Sequence, residues 1–316
     1  MPSRSWLFAL LVACGGTAAP TVDDAAVIGG DVRIEADAST TLPSTFRIGI
    51  VGDTRPANED DLAGYPTAVI TKIWADLEAA TPHPDLAIST GDYMFANPSA
   101  PPATSTVNKM LDRYLGARAT FTKAVFAAFG NHECTGATAS NCGPGSRDGV
   151  TQNYTAYLTR MINPLGITLP YFSYAFHASD SSWTAKLVVI AANAWNPTQA
   201  AWLDSVLAQP TTYTFVVRHE SASANTAPGV TPSETIIAKY PLTLKIVGHT
   251  HTYQHVATDH EVICGNGGAP LTSGTNYGYA ILERLASGVI QFTEYDYMTN
   301  ANRAQWRINA DGTPAP

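Results

Sequence analysis

Six short apolar runs rich in β-branched residues constrain the fold of this 316-residue chain more than any other feature. They lie at 46–51, 86–90, 124–129, 186–192, 213–218 and 243–247. Short apolar runs of this kind are typical of strands that are buried on both faces, as in the parallel sheets of α/β proteins. The chain from residue 46 onward is therefore predicted to contain βαβ units.

Amphipathic segments between these runs predict the helices that cover the sheet. The segments 67–80 and 198–208 each carry an apolar stripe at helical spacing. In the sequence TPSE, we expect Thr231 to cap a helix, Pro232 to take its first position and Glu234 to close a capping box.

The pattern changes after residue 251. Strand-like segments with Gly-containing turns follow one another without a helix, at 252–258, 277–284, 288–296 and 303–308. Neither an internal repeat nor a linker is visible after residue 45. A single domain spanning 46–316 is predicted, with βαβ units first and a mostly antiparallel segment last.

The N-terminal residues are typical of a targeting segment. Residues 1–14 carry one positive charge, Arg4, and a short apolar run, Trp6–Val12, that is too short to span a bilayer as a helix. The sequence LVAC resembles a bacterial lipobox, in which the signal peptide is cut before a cysteine that is then lipidated. We therefore predict a lipid anchor at Cys14; the alternative is an ordinary signal peptide with a chance cysteine.

Residues 15–45 are rich in Ala, Thr, Ser, Gly and Asp and lack periodicity, which predicts a flexible tether. A tether behind a lipid anchor would hold the domain off the membrane surface. The expected location is that of an exported bacterial lipoprotein, in the periplasm or at the cell surface. Membrane contact is expected only through Cys14.

Three further cysteines follow. Cys134 and Cys142 bracket a short loop, and exported proteins lie where disulfides persist. We predict a disulfide between them; the alternative is two free thiols. Cys264 is expected to be a small buried residue.

The charge pattern excludes some partners. The formal net charge is −8, and removal of residues 1–14, which carry only Arg4, changes it to 17 − 26 = −9. No run of Lys or Arg occurs, so neither a groove for nucleic acid nor a basic membrane patch is expected.

Polar residues suited to metal binding follow five of the predicted strands. They are Gly52-Asp53, Gly91-Asp92, Gly130-Asn131-His132-Glu133, His219, and Gly248-His249-Thr250-His251. In open α/β sheets, ligands bind beyond the carboxyl ends of the strands. Each of these residues alone is weak evidence, but their occurrence at consecutive strand ends predicts a metal site. Carboxylate, amide and imidazole ligands suit Mn, Fe or Zn.

The same residues resemble the motifs of the calcineurin-like metallophosphoesterases over about residues 46–300. The matching stretches are GD (52–53), GDYM (91–94), GNHE (130–133), RHE (218–220) and GHTH (248–251). The resemblance implies an α/β fold, a four-layer α/β/β/α sandwich of two mixed sheets. It also implies a phosphatase or phosphodiesterase that hydrolyses mono- or diesters of small molecules with a metal-activated hydroxide.

The resemblance further implies a centre of two divalent ions, of Mn, Fe or Zn. Asp92 would bridge both ions, and Asp53 and His251 would complete one of them. The other ion would be completed by Asn131, His219 and His249. His132, near its usual pKa, would face the substrate as a catalytic residue and assist the leaving group.

Arg55 departs from the family pattern, because most members carry Asp-x-His where this chain has Asp53-Thr54-Arg55. Arginine has no lone pair to give a metal. In one reading, water or substrate fills the gap and one ion is more labile; in a second, the site holds one tight ion. In a third, the protein binds metal or phosphate without catalysis. We favour the first, because the other ligand positions are intact.

Arg55 is also a candidate catalytic residue. Its guanidinium is predicted to pair with phosphate oxygens, as arginine does bidentately. The alternative is that the side chain turns away and pairs with Asp60, Asp61 or Glu220.

Overall fold

The computed structural model describes residues 41–272 and 274–316. The predicted signal peptide, the anchor at Cys14 and the tether as far as residue 40 lie outside the described residues. In chain order the strands are β1 (Thr41–Leu42), β2 (Phe46–Val51), β3 (Leu86–Ser89), β4 (Val125–Ala127), β5 (Phe172–Ala178), β6 (Thr184–Val189), β7 (Tyr213–Val217), β8 (Leu244–Val247), β9 (Tyr253–Val256), β10 (Glu261–Cys264), β11 (Gly278–Arg284), β12 (Ile290–Asp296) and β13 (Asn302–Ile308). The helices are α1 (Thr67–Ala79), α2 (Val107–Ala117), α3 (Gln152–Tyr157), α4 (Pro197–Leu207) and α5 (Val230–Ile237).

These strands form two mixed sheets. The first has seven strands in the order β1-β5-β6-β7-β8-β10-β9, and the second has six in the order β13-β12-β11-β2-β3-β4. In the first sheet β6, β7, β8 and β10 run parallel, and in the second β2, β3 and β4 run parallel. The remaining pairings are antiparallel, except that of β1 with β5. The predicted α/β fold with two mixed sheets is confirmed.

The two sheets pack face to face through aromatic side chains. Phe46 on β2 is buried, and its ring lies 4.9 Å from the Trp183 ring and 5.4 Å from the Phe176 ring of the other sheet. The Phe126 ring on β4 lies 4.5 Å from the Tyr174 ring on β5. Burial of such large rings supplies much of the stability of a core, and it fixes the strand ends of the two sheets beside each other.

Helices cover the outer faces of both sheets. The buried face of α1 carries Trp74 and Leu77, and the Leu77 side chain packs against Gly49 of β2. On the other side, Lys186 of β6 donates from Nζ to the carbonyl of Val206 in α4 at 2.7 Å. Within the described ranges, no helix is both long and apolar enough to cross a membrane.

The predicted start of the fifth helix is wrong. Helix α5 begins at Val230, so Thr231 is its second residue and does not cap it. The Glu234 carboxylate does not turn back to the backbone; it accepts from Arg218 Nη2 at 2.7 Å and from Lys245 Nζ at 2.9 Å. These two cations outcompete the capping box for the carboxylate.

The folded domain starts before residue 46. Thr41 and Leu42 form β1, which pairs in parallel with β5, and Leu42 is buried. The end of the segment predicted as tether is thus part of a sheet. Cys134 and Cys142 form a disulfide with a Cα–Cα distance of 5.5 Å, and Cys264 is a buried free thiol.

Candidate metal centre

The six predicted metal ligands lie just beyond the carboxyl ends of parallel strands in both sheets. They are Asp53 after β2, Asp92 after β3, Asn131 after β4, His219 after β7, and His249 and His251 after β8. The packing of the sheets joins residues that are far apart in sequence. The backbone N–H of His249 donates to Asp53 Oδ2 at 2.9 Å across 196 positions.

One candidate ligand group consists of Asp53, Asp92 and His251. Their ligand atoms all lie within 4.8 Å of one another, and His251 Nε2 lies 3.5 Å from Asp53 Oδ1. Both carboxylates are buried. Such a spacing allows all three residues to reach one cation.

A second cluster forms around His219. His219 Nε2 lies 3.2 Å from Asp92 Oδ1 and 3.2 Å from His249 Nδ1. It also lies 3.9 Å from Asp53 Oδ1. Asp92 is therefore shared between the two clusters, as expected for a bridging ligand.

Hydrogen bonds to carbonyl groups set the histidine tautomers. His219 Nδ1 lies 2.8 Å from the Thr90 carbonyl oxygen, and His251 Nδ1 lies 2.7 Å from that of Pro270. A carbonyl only accepts, so each Nδ1 carries a hydrogen, and in the neutral imidazole each Nε2 has the lone pair that a metal needs. Metal-binding histidines are commonly oriented in this way.

Asn131 offers an unpaired buried oxygen. Its Nδ2 donates to the Gly136 carbonyl at 2.5 Å, which fixes the amide orientation. Its Oδ1 is buried and has no hydrogen-bond partner among residues 41–272 and 274–316. An unpaired buried amide oxygen is unfavourable, and a cation would satisfy it.

Four of the six ligands have a left-handed backbone. The φ angles are 54° at Asp53, 60° at Asp92, 72° at His249 and 50° at His251. Residues other than glycine rarely adopt this conformation, which is unfavourable by roughly 1–2 kcal/mol each. Strain of this kind clusters at functional sites, and here it turns each side chain toward the centre.

The electrostatics of the centre favour a cation. Burial raises the pKa of the Asp53 carboxyl well above its usual range. Burial alone would also raise the pKa of the Asp92 carboxyl, but the neighbouring His219 and His132 outweigh this effect and hold the Asp92 pKa well below its usual range. Burial would lower the pKa of His219, but Asp92 and Asp53 outweigh it and raise that pKa well above the usual value. Two buried carboxylates thus require positive charge between them.

Taken together, the ligands fit divalent cations. Two carboxylates and three imidazoles lie in the two clusters, and the buried amide oxygen of Asn131 beside them has no hydrogen-bond partner in the described part of the chain. Nitrogen and oxygen ligands in this proportion suit Mn, Fe or Zn.

Glu133 is a functional residue to which the sequence assigned no role. Its buried carboxylate accepts from the backbone N–H groups of Asp92 at 2.9 Å, Tyr93 at 2.8 Å and Gly130 at 2.9 Å. It therefore joins the loop after β3 to the loop after β4. Its position in the GNHE stretch was the only sequence signal.

Glu220 is a second residue that the sequence did not single out as a ligand. It is fully buried, and neither carboxylate oxygen has a hydrogen-bond partner in the described part of the chain. Its carboxylate forms a candidate ligand group with His219 and His249, all within 4.8 Å of one another. Its place directly after His219 was the available signal.

His132 lies at the rim of the same centre. Its Nε2 is 3.9 Å from Asp92 Oδ2, and its ring meets the edge of the Phe95 ring at 4.4 Å. Burial lowers the pKa of His132 to about 3. The expectation of a near-normal pKa is therefore wrong, and the imidazole is neutral at pH 7.

Arg55 points into the centre and not toward Asp60, Asp61 or Glu220. Its Nε lies 3.5 Å from Asp92 Oδ2, and its Nη2 lies 3.4 Å from His251 Nε2. The guanidinium is thus available both to the metal ligands and to a bound anion.

Comparisons with known proteins agree with this geometry. A search of curated proteins finds no match. Among solved structures, the purple acid phosphatase PPD1 from yellow lupin (Lupinus luteus) seeds is similar at 16% identity, with a TM-score of 0.57. That match covers 85% of this chain and 55% of the lupin protein, so the chain spans about half the length of that relative.

Two further structures are similar over nearly their whole length. A dimetal phosphatase from Danio rerio has 12% identity and a TM-score of 0.57, covering 85% of this chain and 100% of that one. GAP50, described as the anchor in the inner membrane complex of Plasmodium, has 14% identity and a TM-score of 0.55, covering 84% and 89%. Identities this low establish the fold alone.

The family comparison is more specific. The calcineurin-like phosphoesterase family model matches residues 46–253, which is more than half of the chain and includes all six predicted ligands. This chain belongs to the calcineurin-like phosphoesterase family.

Proposed function

We propose that this protein is a metal-dependent phosphoesterase that hydrolyses mono- or diesters of phosphate. The observation that carries the proposal is the convergence of two carboxylates and three imidazoles, with Asn131 Oδ1 buried and unpaired in the adjoining loop. Membership of the phosphoesterase family supports it.

The two ligand clusters offer one position each for a divalent ion of Mn, Fe or Zn. Asp53, Asp92 and His251 line one position, and Asp92, His219 and His249 line the other. Asn131 is the further ligand expected at the second position, because the next residue in its loop donates to Asp92 Oδ1. A bound ion supplies Lewis-acid chemistry, because it offsets charge on phosphoryl oxygens and lowers the pKa of water.

His132 is placed to act on the leaving group. The Asn153 amide donates to the His132 carbonyl at 3.0 Å, and the Phe95 ring packs against the imidazole, so the side chain is held in place. A bound phosphate brings negative charge, which favours the protonated imidazole and raises its pKa. In its protonated form, His132 would give a proton to the leaving oxygen.

Arg55 is placed to bind the substrate phosphate. Its guanidinium lies beside Asp92 and is only 15% exposed. Its planar group of N–H donors matches phosphate oxygens in a bidentate geometry.

The direct test is metal analysis followed by activity. The protein without residues 1–14 is purified, its bound metals are measured, and chromogenic mono- and diesters are assayed with added Mn²⁺. Asp92→Asn is expected to lose metal and turnover, whereas Asp259→Asn, at an exposed site, is the matched control. Turnover that persists in Asp92→Asn, or in the presence of a chelator, would contradict the proposal.

A second candidate is a catalytically silent protein that binds metal or phosphate on the same fold. Arg55 favours it, because this residue replaces a ligand that most of the family carries. Bound metal without turnover of either ester class would select this candidate.

We also propose that the protein is an exported bacterial lipoprotein anchored through Cys14, in the periplasm or at the cell surface. The lipobox-like sequence supports this, as does the disulfide between Cys134 and Cys142, because disulfides persist outside the cytoplasm. Cys14→Ser is expected to move the protein from the membrane fraction to the soluble fraction. An unchanged membrane fraction would refute the anchor.

A further inference from the structure

The Arg55 guanidinium contacts two residues of one of the two candidate ligand groups. Its Nε is 3.5 Å from Asp92 Oδ2, and its Nη2 is 3.4 Å from His251 Nε2. Both contacted residues belong to the ligand group Asp53, Asp92 and His251. Since His251 Nδ1 donates to a carbonyl, the Nε2 lone pair is free to accept from the guanidinium.

Neighbouring groups hold the guanidinium in this place. Arg55 Nη1 donates to the Pro56 carbonyl at 3.0 Å, and the guanidinium carbon lies 5.0 Å from the centre of the Phe95 ring. Only 15% of the side chain is exposed. A packed cation of this kind does not leave the centre without losing its contacts with Phe95 and Asp92.

An ion and the guanidinium compete for the same atoms. Metal bonds to nitrogen and oxygen are about 2.0–2.2 Å long, so an ion on Asp92 Oδ2 and His251 Nε2 would lie against the Arg55 nitrogens. Arginine stays charged at any working pH, and like charges repel strongly in a buried site.

We propose that this centre binds one divalent ion tightly, between Asp92, Asn131, His219 and His249, and that Arg55 supplies the second positive charge. The inference rests on the proposed function, because it concerns the same metal centre. The second ion position, lined by Asp53 and His251, is then filled by the guanidinium.

The charge balance remains suited to a phosphate. One divalent ion gives +2, Arg55 gives +1, and Asp53 and Asp92 give −2, which leaves +1 for these four groups. The guanidinium attracts the phosphate and pairs with its oxygens. The replacement of a ligating histidine by Arg55 thus exchanges a divalent ion for a guanidinium cation.

Metal stoichiometry tests the proposal without reference to activity. The full chain, purified in detergent and freed of metal, is titrated with Mn²⁺, and bound Mn²⁺ is counted by elemental analysis. We expect about one ion per chain in the wild type and in Arg55→Lys, and about two in Arg55→His, because the histidine restores a ligand. Arg147→His is the matched control, since Arg147 is 63% exposed and pairs with Asp148 and with the Ala139 carbonyl in its own loop. This variant is expected to keep about one ion.

Electron paramagnetic resonance gives a second readout on the wild type and on Arg55→His. A single uncoupled Mn²⁺ signal is expected at excess metal, and a spin-coupled pair is expected only in Arg55→His. Two tightly bound ions in the wild type would overturn this proposal and leave the proposed function standing. No bound ion in the wild type would overturn both, and a folded Arg55→His with one ion would show that Arg55 does not exclude the second.

Discussion

Gly91→Ala is the sharpest test of how the backbone builds the centre. Gly91 precedes Asp92 and has a φ of 112°, a conformation that side chains rarely permit. A Cβ atom at this position would lie 2.6 Å from His219 Nδ1, which is fully buried and has no room to move.

The expected loss of stability in Gly91→Ala has two contributions. The strained backbone is unfavourable by about 1–3 kcal/mol for a residue other than glycine. Displacing His219 also breaks its 2.8 Å bond to the Thr90 carbonyl, which is worth roughly 0.5–1.5 kcal/mol or more when the imidazole is charged. We therefore expect Gly91→Ala to lower the free energy of unfolding by about 2–4 kcal/mol.

The assay is urea unfolding of metal-free protein, followed by Mn²⁺ titration of the folded variant. The matched control is Gly116→Ala in α2, where a Cβ atom would meet nothing within 4 Å. This control is expected to raise the free energy of unfolding by about 0.5–1 kcal/mol. A Gly91→Ala protein with wild-type stability and Mn²⁺ affinity would refute the reasoning.

Three further predictions concern buried charges. Glu220→Gln is expected to weaken Mn²⁺ binding roughly tenfold or more, because Glu220 is an unpaired buried carboxylate beside His219 and His249. Calorimetry compares this variant with Glu59→Gln, which changes an exposed site, and equal affinities of the two variants would contradict the prediction. Mn²⁺ affinity is expected to fall as the pH is lowered, because the pKa of His219 is raised in the metal-free centre and its proton must leave when the ion binds. Calorimetry in buffers of different ionisation enthalpy measures the released protons, and binding without proton release would contradict this prediction. Burial raises the pKa of Glu133 to about 7 from 4.5, so its contribution to the stability of the metal-free protein is fully present below about pH 4.5 and is lost as the pH rises through about 7. In urea unfolding across this range, the free energy of unfolding is expected to depend less on pH in Glu133→Gln than in the wild type, and identical slopes would refute the prediction.

The sequence predicted the outline of the centre because local patterns specify it. Apolar runs mark the buried strands, and a glycine followed by Asp92 or His249 marks the turn at a strand end. The order of such turns along the chain sufficed to place the ligands at one edge of the sheets.

Other features depend on long-range packing and were not predictable. The direction of Arg55 is set by Phe95 and Asp92, and the isolation of Glu220 is visible only once its neighbours are known. The capping box at Thr231 was predicted from local sequence, but the distant cations Arg218 and Lys245 take the Glu234 carboxylate.

Two elements that were not predicted from the sequence, α2 and β10, also depend on packing against distant residues. Helix α2 has charged residues on its exposed face and follows a Pro-rich loop, so its apolar stripe is short, with Met110, Leu111 and Tyr114 among its buried residues. Strand β10 has only Val262 and Ile263 between Glu261 and Cys264, so no longer apolar run marks it, and it is defined by pairing with β8 and β9.

Anomalous scattering from crystals grown with Mn²⁺ locates the bound ion. A peak is expected at about 2.0–2.2 Å from an Asp92 oxygen, Asn131 Oδ1, His219 Nε2 and a His249 nitrogen. Crystals that contain Mn²⁺ elsewhere but show no peak among these four residues would contradict this expectation.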